Sequence, residues 1–368
     1  MAKPEPSWSL VRYSPEHVAG LIALRQAEWG ATEFATAPYI RWQDEADPAG
    51  RAVAWLGVSD AGQVVAEVWM VPVALQLAGR QVAGCVGANA MVHPEWRRRN
   101  VFSTVYARCA EECRRRDIGV SMVVPNRKSL SGLRKRFPIR DLGPVPLMIH
   151  PIDLPALGRA WTGAAAIGDL AALAARAARW FGRRRAAPIA EGIEVVKSPG
   201  PSFDAEFDAF WRRVGGKCPC TVERTSAYLN WRYSAQSQRR YEVLQARRRG
   251  MLVGYLVFRA CQARGIRGGW IVDMLVESSP VGRSAGVLLA QAAVQSGSSQ
   301  GCQVISALCV AHGEEYQAYR QAGFLRCPRP LRPHPFRVIA HVHEPSLEGA
   351  HLASLDTWCW TFGDYDVF

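Results

Sequence analysis

One short pattern occurs twice in this chain at almost the same offset, and a chain that repeats a strand, a turn and a helix is held to a duplicated fold. Pro94-x-x-Arg97-x-x-Asn100 and Pro280-x-x-Arg283-x-x-Gly286 lie 186 residues apart, and Phe137 and Phe324, each closing the next predicted helix, lie 187 apart. The elements between them agree. In the first half, period-two runs at 9–12, 52–58, 64–73, 75–82, 85–92 and 120–124 predict strands, and amphipathic stretches at 15–29, 38–45, 101–116 and 126–136 predict helices. In the second half, a helix at 203–214 precedes a hairpin at 241–258 turning at Arg249-Gly250. A strand at 271–276, a helix from Gly286 to Gln295, a strand at 304–308 and a helix at 314–321 follow. Strands first and then β-α-β-α predict an α+β fold of two tandem domains, each a mixed, mostly antiparallel sheet flanked by helices. The expected boundaries are 1–153 for the first domain, 154–200 for a helical linker rich in Ala, Arg and Gly, and 201–368 for the second domain with a C-terminal tail.

Half of the residues are apolar and 21% are charged, which suits two buried cores in 368 residues and not a disordered chain. No apolar run is long enough to span a bilayer, and Met1–Leu10 lacks the apolar stretch of a signal peptide, so the expectation is a soluble cytoplasmic protein. Ten cysteines are scattered through the chain without a framework spacing, which predicts reduced thiols. Cys218-Pro-Cys220 and the His341/His343 pair lack further ligands nearby, so no metal site is expected. The net charge of +13 comes from short Arg clusters. It fits an anionic partner, whether nucleotide cofactor, nucleic acid or membrane surface, and equally a set of solvated helix faces. The stretch 164–185, with Trp180, Phe181 and trailing arginines, reads as a connecting helix or as a peripheral membrane contact.

The Pro94 turn carries the chemistry. The first amides of a helix have no intrahelical partner and sit at the positive end of its dipole, where a pyrophosphate can accept from them. Asn100 tolerates a left-handed backbone, Arg97, Arg98 and Arg99 add charged donors, and Val101, Phe102 and Ser103 supply the amides. An Arg-rich helix start without a ligand is the competing reading.

Val92-His93-Pro94-Glu95-Trp96-Arg97-Arg98-Arg99-Asn100-Val101-Phe102 resembles the acyl-CoA motif of the GNAT superfamily, Val-x-Pro-x-x-Arg-x-x-Gly-x-Gly/Ala, with Asn100 and Phe102 as departures from it. Val124-Pro125-Asn126, the run Leu229-Asn230-Trp231-Arg232-Tyr233 and the tail Trp358–Asp366 are similar to bacterial tandem GNAT proteins, often linked to polysaccharide or secondary metabolism. The resemblance implies an acyl-CoA-dependent N-acyltransferase. Acetyl-CoA or another acyl-CoA would be co-substrate, a small-molecule primary amine the acceptor, and no metal would take part. It implies cofactor contacts from Val92, Arg97–Ser103 and Asn126, with acceptor contacts from Trp231, Arg232, Tyr233 and Asp273. A Tyr in the fourth helix often serves as acid in the superfamily. Gly132 stands there in the first half and Tyr319 in the second. Glu67 and His93 are base candidates on the first half's strands. In the tandem acetyltransferases called enhanced intracellular survival proteins the C-terminal carboxylate reaches the active site, which brings in Asp364 and Asp366. Tandem GNAT proteins commonly keep the cofactor in one half, assigned here to the first, with the Gly286 turn as the alternative. Competing identities are a Fem-type aminoacyl-tRNA-dependent transferase, against which the Arg-rich turn argues, and a non-catalytic GNAT-fold binding protein. DNA is not expected as a partner.

Overall fold

A computed structural model describes residues 7–45, 48–157, 189–236, 238–263 and 265–365. The candidate membrane-contact stretch 164–185 and Asp366 fall outside the described residues. The chain forms two compact units, and neither is a continuous piece of sequence. The first comprises Met1–Gly143, Trp231–Arg239 and Arg337–Ser354; the second comprises Pro144–Asn230, Arg240–Phe336 and Leu355–Phe368. The contiguous blocks expected from composition are therefore replaced by interleaved ones, because each sheet recruits a strand from the other half of the chain.

In the first unit the strands are β1 (Trp8–Arg12), β2 (Val53–Ser59), β3 (Val64–Leu77), β4 (Arg80–Val92), β5 (Val120–Val123) and β6 (Ile139–Pro144). Its helices are α1 (Val18–Trp29), α2 (Ala37–Glu45), α3 (Val101–Arg115) and α4 (Arg127–Arg136). The expected strand at 75–82 is instead the bend of the β3–β4 hairpin, where Ala78 and Gly79 both take positive φ. In the second unit β7 (Leu147–Pro151), β8 (Ile193–Lys197), α5 (Ala205–Val214), β9 (Cys220–Val222) and the four-residue α6 (Ser226–Leu229) come first. Then follow β10 (Glu242–Arg248), β11 (Met251–Ala263), β12 (Ile266–Val276), α7 (Pro280–Ser299), β13 (Val304–Leu308), α8 (Gly313–Gln321) and β14 (Leu325–Arg326). The last strand, β15 (Arg337–Val342), belongs to the first unit.

The sheet orders are β1-β2-β3-β4-β5-β15-β6 and β14-β7-β13-β12-β11-β10-β8. A parallel pair occurs in each, β4 with β5 and β12 with β13, beside antiparallel neighbours. The late strand β15 lies antiparallel to β5, and the early strand β7 lies antiparallel to β13. The duplication is therefore present in the topology.

The spacing of the α3 side chains shows why it docks where it does. Val101, Val105, Tyr106, Cys109 and Cys113 form one buried stripe, packed with Val53, Ala66, Val68 and Ile339 of the sheet. Gly57 on β2 makes room, since a Cβ there would lie 3.2 Å from Val101 Cγ1. In the second unit α7 buries Ala285, Leu289, Ala290 and Ala293 against Phe258, Ile271 and Ile305.

One expectation about the thiols is corrected. Cys218 and Cys359, 141 residues apart, are joined by a disulfide, while the other eight cysteines are free. The bond follows from backbone pairing that no spacing rule reveals. Cys220 N donates to Thr357 O (3.0 Å) and Cys359 N to Cys220 O (2.9 Å), which lays the tail beside the Cys218 segment. Crosslinking so long a loop restricts the unfolded chain, so Cys218→Ser should lower the unfolding free energy by about 2–4 kcal/mol. Urea unfolding with and without dithiothreitol checks this, and the variant should no longer respond to the reductant. No helix among the described residues is long and apolar enough to cross a membrane.

Candidate functional site

The parallel pair β4/β5 is short. Pairing runs only from Gly84 opposite Val120 to Gly87 opposite Val123, after which β4 continues to Val92 while the other chain turns into α4 at Asn126. A bulge sits at the same level. Ala88 faces Trp69 and Met91 faces Glu67, so Asn89 and Ala90 together oppose Val68, and Asn89 takes φ 45°. The parallel pairing therefore ends just where β4 bends, and β4 runs on past its last β5 partner, Gly87 opposite Val123.

At the end of β4 the chain makes a 3-10 turn at Pro94–Trp96 and enters α3 through two left-handed residues, Arg98 (φ 67°) and Asn100 (φ 60°, ψ 5°). Asn100 makes no side-chain cap bond among the described residues. The first intrahelical bond is Thr104 N to Asn100 O (3.1 Å), so the amides of Val101, Phe102 and Ser103 face outward from the helix start. Four arginines surround them. Arg97 pairs with Glu28 (2.5 Å) and donates through Nε to Val92 O (3.2 Å), and Arg99 stacks on Trp96, 5.4 Å from the ring centroid. Arg98 is exposed at the turn itself. Arg136, from the last turn of α4, donates to Asn100 Oδ1 (2.6 Å) and to Ser103 Oγ, a contribution the motif did not indicate. Asn126 is occupied in capping α4, its Oδ1 accepting from Ser129 N (2.9 Å).

The corresponding turn of the second unit is closed. Pro280 is the first residue of α7, and Ser279 Oγ accepts from Gly282 N (3.0 Å). Arg283 is paired with Glu314 (2.6 Å). Gly286 lies inside the helix and not in the turn, which corrects the expected helix start at 286. A Cβ at Gly286 would meet Ala318 Cβ at 2.7 Å, so this glycine serves the close packing of α7 on α8. The two Pro-x-x-Arg matches are thus alike in sequence and different in geometry.

The base candidates separate. Glu67, a base candidate, is fully buried. It accepts from Arg25 Nε (2.9 Å) and Nη2 (2.8 Å) and from Trp69 Nε1 (2.6 Å). Arg25 is itself fully buried, donating also to Phe34 O (2.8 Å) and Gln43 Oε1 (3.3 Å), and Gln43 in turn accepts from Asn89 at the bulge (2.9 Å). Glu67 is therefore an ion-pair anchor, and the geometry corrects its assignment as a base. His93 is half-buried at the end of β4, and its Nδ1 has no partner among the described residues.

Trp231, Arg232 and Tyr233 form a buried π-helical turn of the first unit. Trp231 stacks on Trp42 (4.8 Å, 11°), and Trp42 Nε1 donates to Trp231 O (2.8 Å). All three side chains are buried in the first unit. Asp273, Tyr319 and Asp364 belong to the second unit. Tyr319 is buried on α8, and burial pushes its hydroxyl well up, so it holds its proton. Asp273 and Asp364 meet on a buried guanidinium the motifs had not singled out, Arg224, at 3.4 and 2.8 Å. In the fourth helix of the first unit, open space surrounds Gly132.

His341 and His343 enter a buried polar network. Ser121 Oγ lies 2.6 Å from His343 Nε2 and accepts from Cys85 Sγ (3.0 Å), and Tyr106 OH lies 3.3 Å from His341 Nδ1. No group of metal-ligating side chains occurs among the described residues. Burial pushes His341 down to about 4 and His343 to about 3, so both are neutral at pH 7. The unfolded chain binds their protons below about pH 6.5, hence their contribution to stability is full above that pH and is lost as pH falls towards 4 and then 3. The urea midpoint should drop across this window, and His343→Gln should drop less steeply than wild type.

Residues 12–135 match the family model described as an acetyltransferase (GNAT) domain. No curated protein matches the sequence. Solved structures match it by fold. A GCN5-related N-acetyltransferase from Anabaena variabilis has a TM-score of 0.59 at 11% identity, covering 92% of this chain and 73% of that one. Saccharomyces cerevisiae N-myristoyltransferase with bound myristoyl-CoA has a TM-score of 0.60 at 11% identity, covering 92% and 84%. A tandem GNAT protein from the clavulanic acid biosynthesis pathway has a TM-score of 0.56 at 14% identity, covering 92% and 99%.

Proposed function

We infer, from a chain that carries a GNAT acetyltransferase domain at residues 12–135 within a tandem GNAT fold, that it is an acyl-CoA-dependent N-acyltransferase whose first unit holds the acyl-CoA. One observation carries the assignment to that unit: the start of α3 is uncapped and ringed by arginines, while the start of α7 is capped by Ser279 and its arginine is spent on Glu314. The pyrophosphate would accept from the amides of Val101–Ser103 with Arg98, Arg99 and Arg136 beside it. The acyl arm would run along the parted edge of β4, where a main-chain amide polarises the thioester carbonyl.

The neutral amine of the acceptor attacks that carbonyl, the C–S bond breaks, and the thiolate leaves to be protonated. The ammonium proton passes to a base, for which His93 is favoured because Glu67 is committed to Arg25. A small-molecule primary amine, such as an amino sugar or a natural-product amine, is the acceptor class. The fold shared with N-myristoyltransferase bound to myristoyl-CoA supports the donor class. Titration calorimetry with acetyl-CoA, a long-chain acyl-CoA and aminoacyl-tRNA, followed by a thiol-release assay on an amine panel, tests the reading. Binding of a CoA ester with release of free CoA is expected. Binding of tRNA alone, or of none of the three, contradicts it.

A further inference from the structure

The second unit contains a cavity of about 50 Å³ that the acyl-CoA reading does not use. It opens where β12 and β13 part, beyond the last parallel pair, Ile271 opposite Ala307, and beside a bulge at Val272. Asp273 and Glu315 line it, together with Trp211, Trp358, Trp360 and Tyr319.

The charges around it do not balance. Asp273 is 1% exposed, Asp364 2% and Arg224 4%, and Arg224 is the one cation paired with both carboxylates. Asp273 is further held by Tyr255 OH (3.0 Å) and Thr361 Oγ1 (3.1 Å), both neutral donors. Glu315 is half-buried and accepts a backbone bond from Val276 N (3.0 Å). The nearby charges on flanking elements are already used. Glu314 takes Arg283, and Arg213 takes Glu277. His312 lies 3.4 Å from Leu355 O through Nε2. Two buried carboxyls thus share one guanidinium, and the half-buried carboxyl of Glu315 lines the same cavity. Burial, with repulsion from Asp273, pushes Glu315 and Asp364 upward, consistent with a surplus of negative potential.

A buried anionic surplus walled by tryptophans is the environment in which an organic cation is stabilised, since the indole faces attract it and the carboxylate neutralises it. One orphaned polar atom on the lining adds to this: Trp360 is 1% exposed, and its Nε1 has no partner among the described residues. The indole donor calls for an acceptor on the same ligand.

We propose that this cavity binds the ammonium group of a small polar amine, an amino alcohol in chemical class, between Asp273 and Glu315 and the tryptophan walls. The site lies wholly within the second unit and stands whether or not the first unit binds acyl-CoA.

Ethanolammonium chloride is the probe. It should change tryptophan fluorescence saturably and shift the Trp360 indole N–H resonance, while sodium chloride and ethanol at equal concentration should do neither. Asp273→Asn should weaken binding about tenfold or more, the scale of losing a charged hydrogen-bond partner. Glu315→Gln, which keeps the shape and the bond to Val276, should weaken it as well and decides the matter if the first variant does not fold. An equal response to sodium chloride, an absent response in the wild-type protein, or undiminished binding in the folded variants overturns the proposal.

Discussion

Arg136→Glu should raise the dissociation constant for acetyl-CoA about 10- to 100-fold, the worth of one charge-assisted hydrogen bond reversed in sign. The side chain is exposed and reaches from α4 to the start of α3, bonding Asn100 and Ser103. A carboxylate there would oppose both the pyrophosphate and the positive end of the helix. Because no core contact is lost, the melting temperature should move little. Arg136→Lys should recover part of the affinity, and Arg249→Glu, the same charge change in the β10–β11 turn, should leave it unaltered. Calorimetry at two salt concentrations checks the set, and the wild-type affinity should fall more steeply with salt than that of Arg136→Glu.

Glu67→Ala should cost about 3–5 kcal/mol of stability, because it strands a buried guanidinium. Arg25 has no exposed surface, and its remaining bonds to Phe34 O and Gln43 cannot neutralise its charge. The loss should spread to the β4 bulge through Gln43 and Asn89. Urea unfolding measures the first effect. The rate of thiol release, compared where both proteins remain folded, separates anchor from base: His93→Gln should lower turnover without a comparable loss of stability. If Glu67→Ala were as stable as wild type and inactive, Glu67 would be the base and the ion-pair assignment would fail.

Much of this was open to a reader of the sequence, because the signals are local. The α3 stripe follows from i, i+4 spacing, the Arg249-Gly250 hairpin from its turn residues, and the left-handed Asn100 from the tolerance of Asn for positive φ. Features set by distant neighbours were not legible. Nothing around Val120 announces that residue 342 will pair with it, and the disulfide joins residues 141 apart. Arg25 and Glu67 meet across 42 positions from a helix and a strand that each look ordinary. Arg224 is one arginine among many until Asp273 and Asp364 close on it. Gly286 misled because its spacing from Pro280 copies the first half, while its reason for being glycine lies on another helix, at Ala318. Motif spacing specifies a turn only where the chain around it is uncapped.

Hydrogen exchange with and without acetyl-CoA tests the central claim most directly, since it reads the amides named as the pyrophosphate cradle. Added acetyl-CoA should slow exchange in peptides covering Arg97–Thr104 and the end of β4, and leave those covering Ser279–Arg283 unchanged. Protection confined to Ser279–Arg283, or no protection in either turn at saturating acetyl-CoA, would contradict the assignment of the acyl-CoA to the first unit.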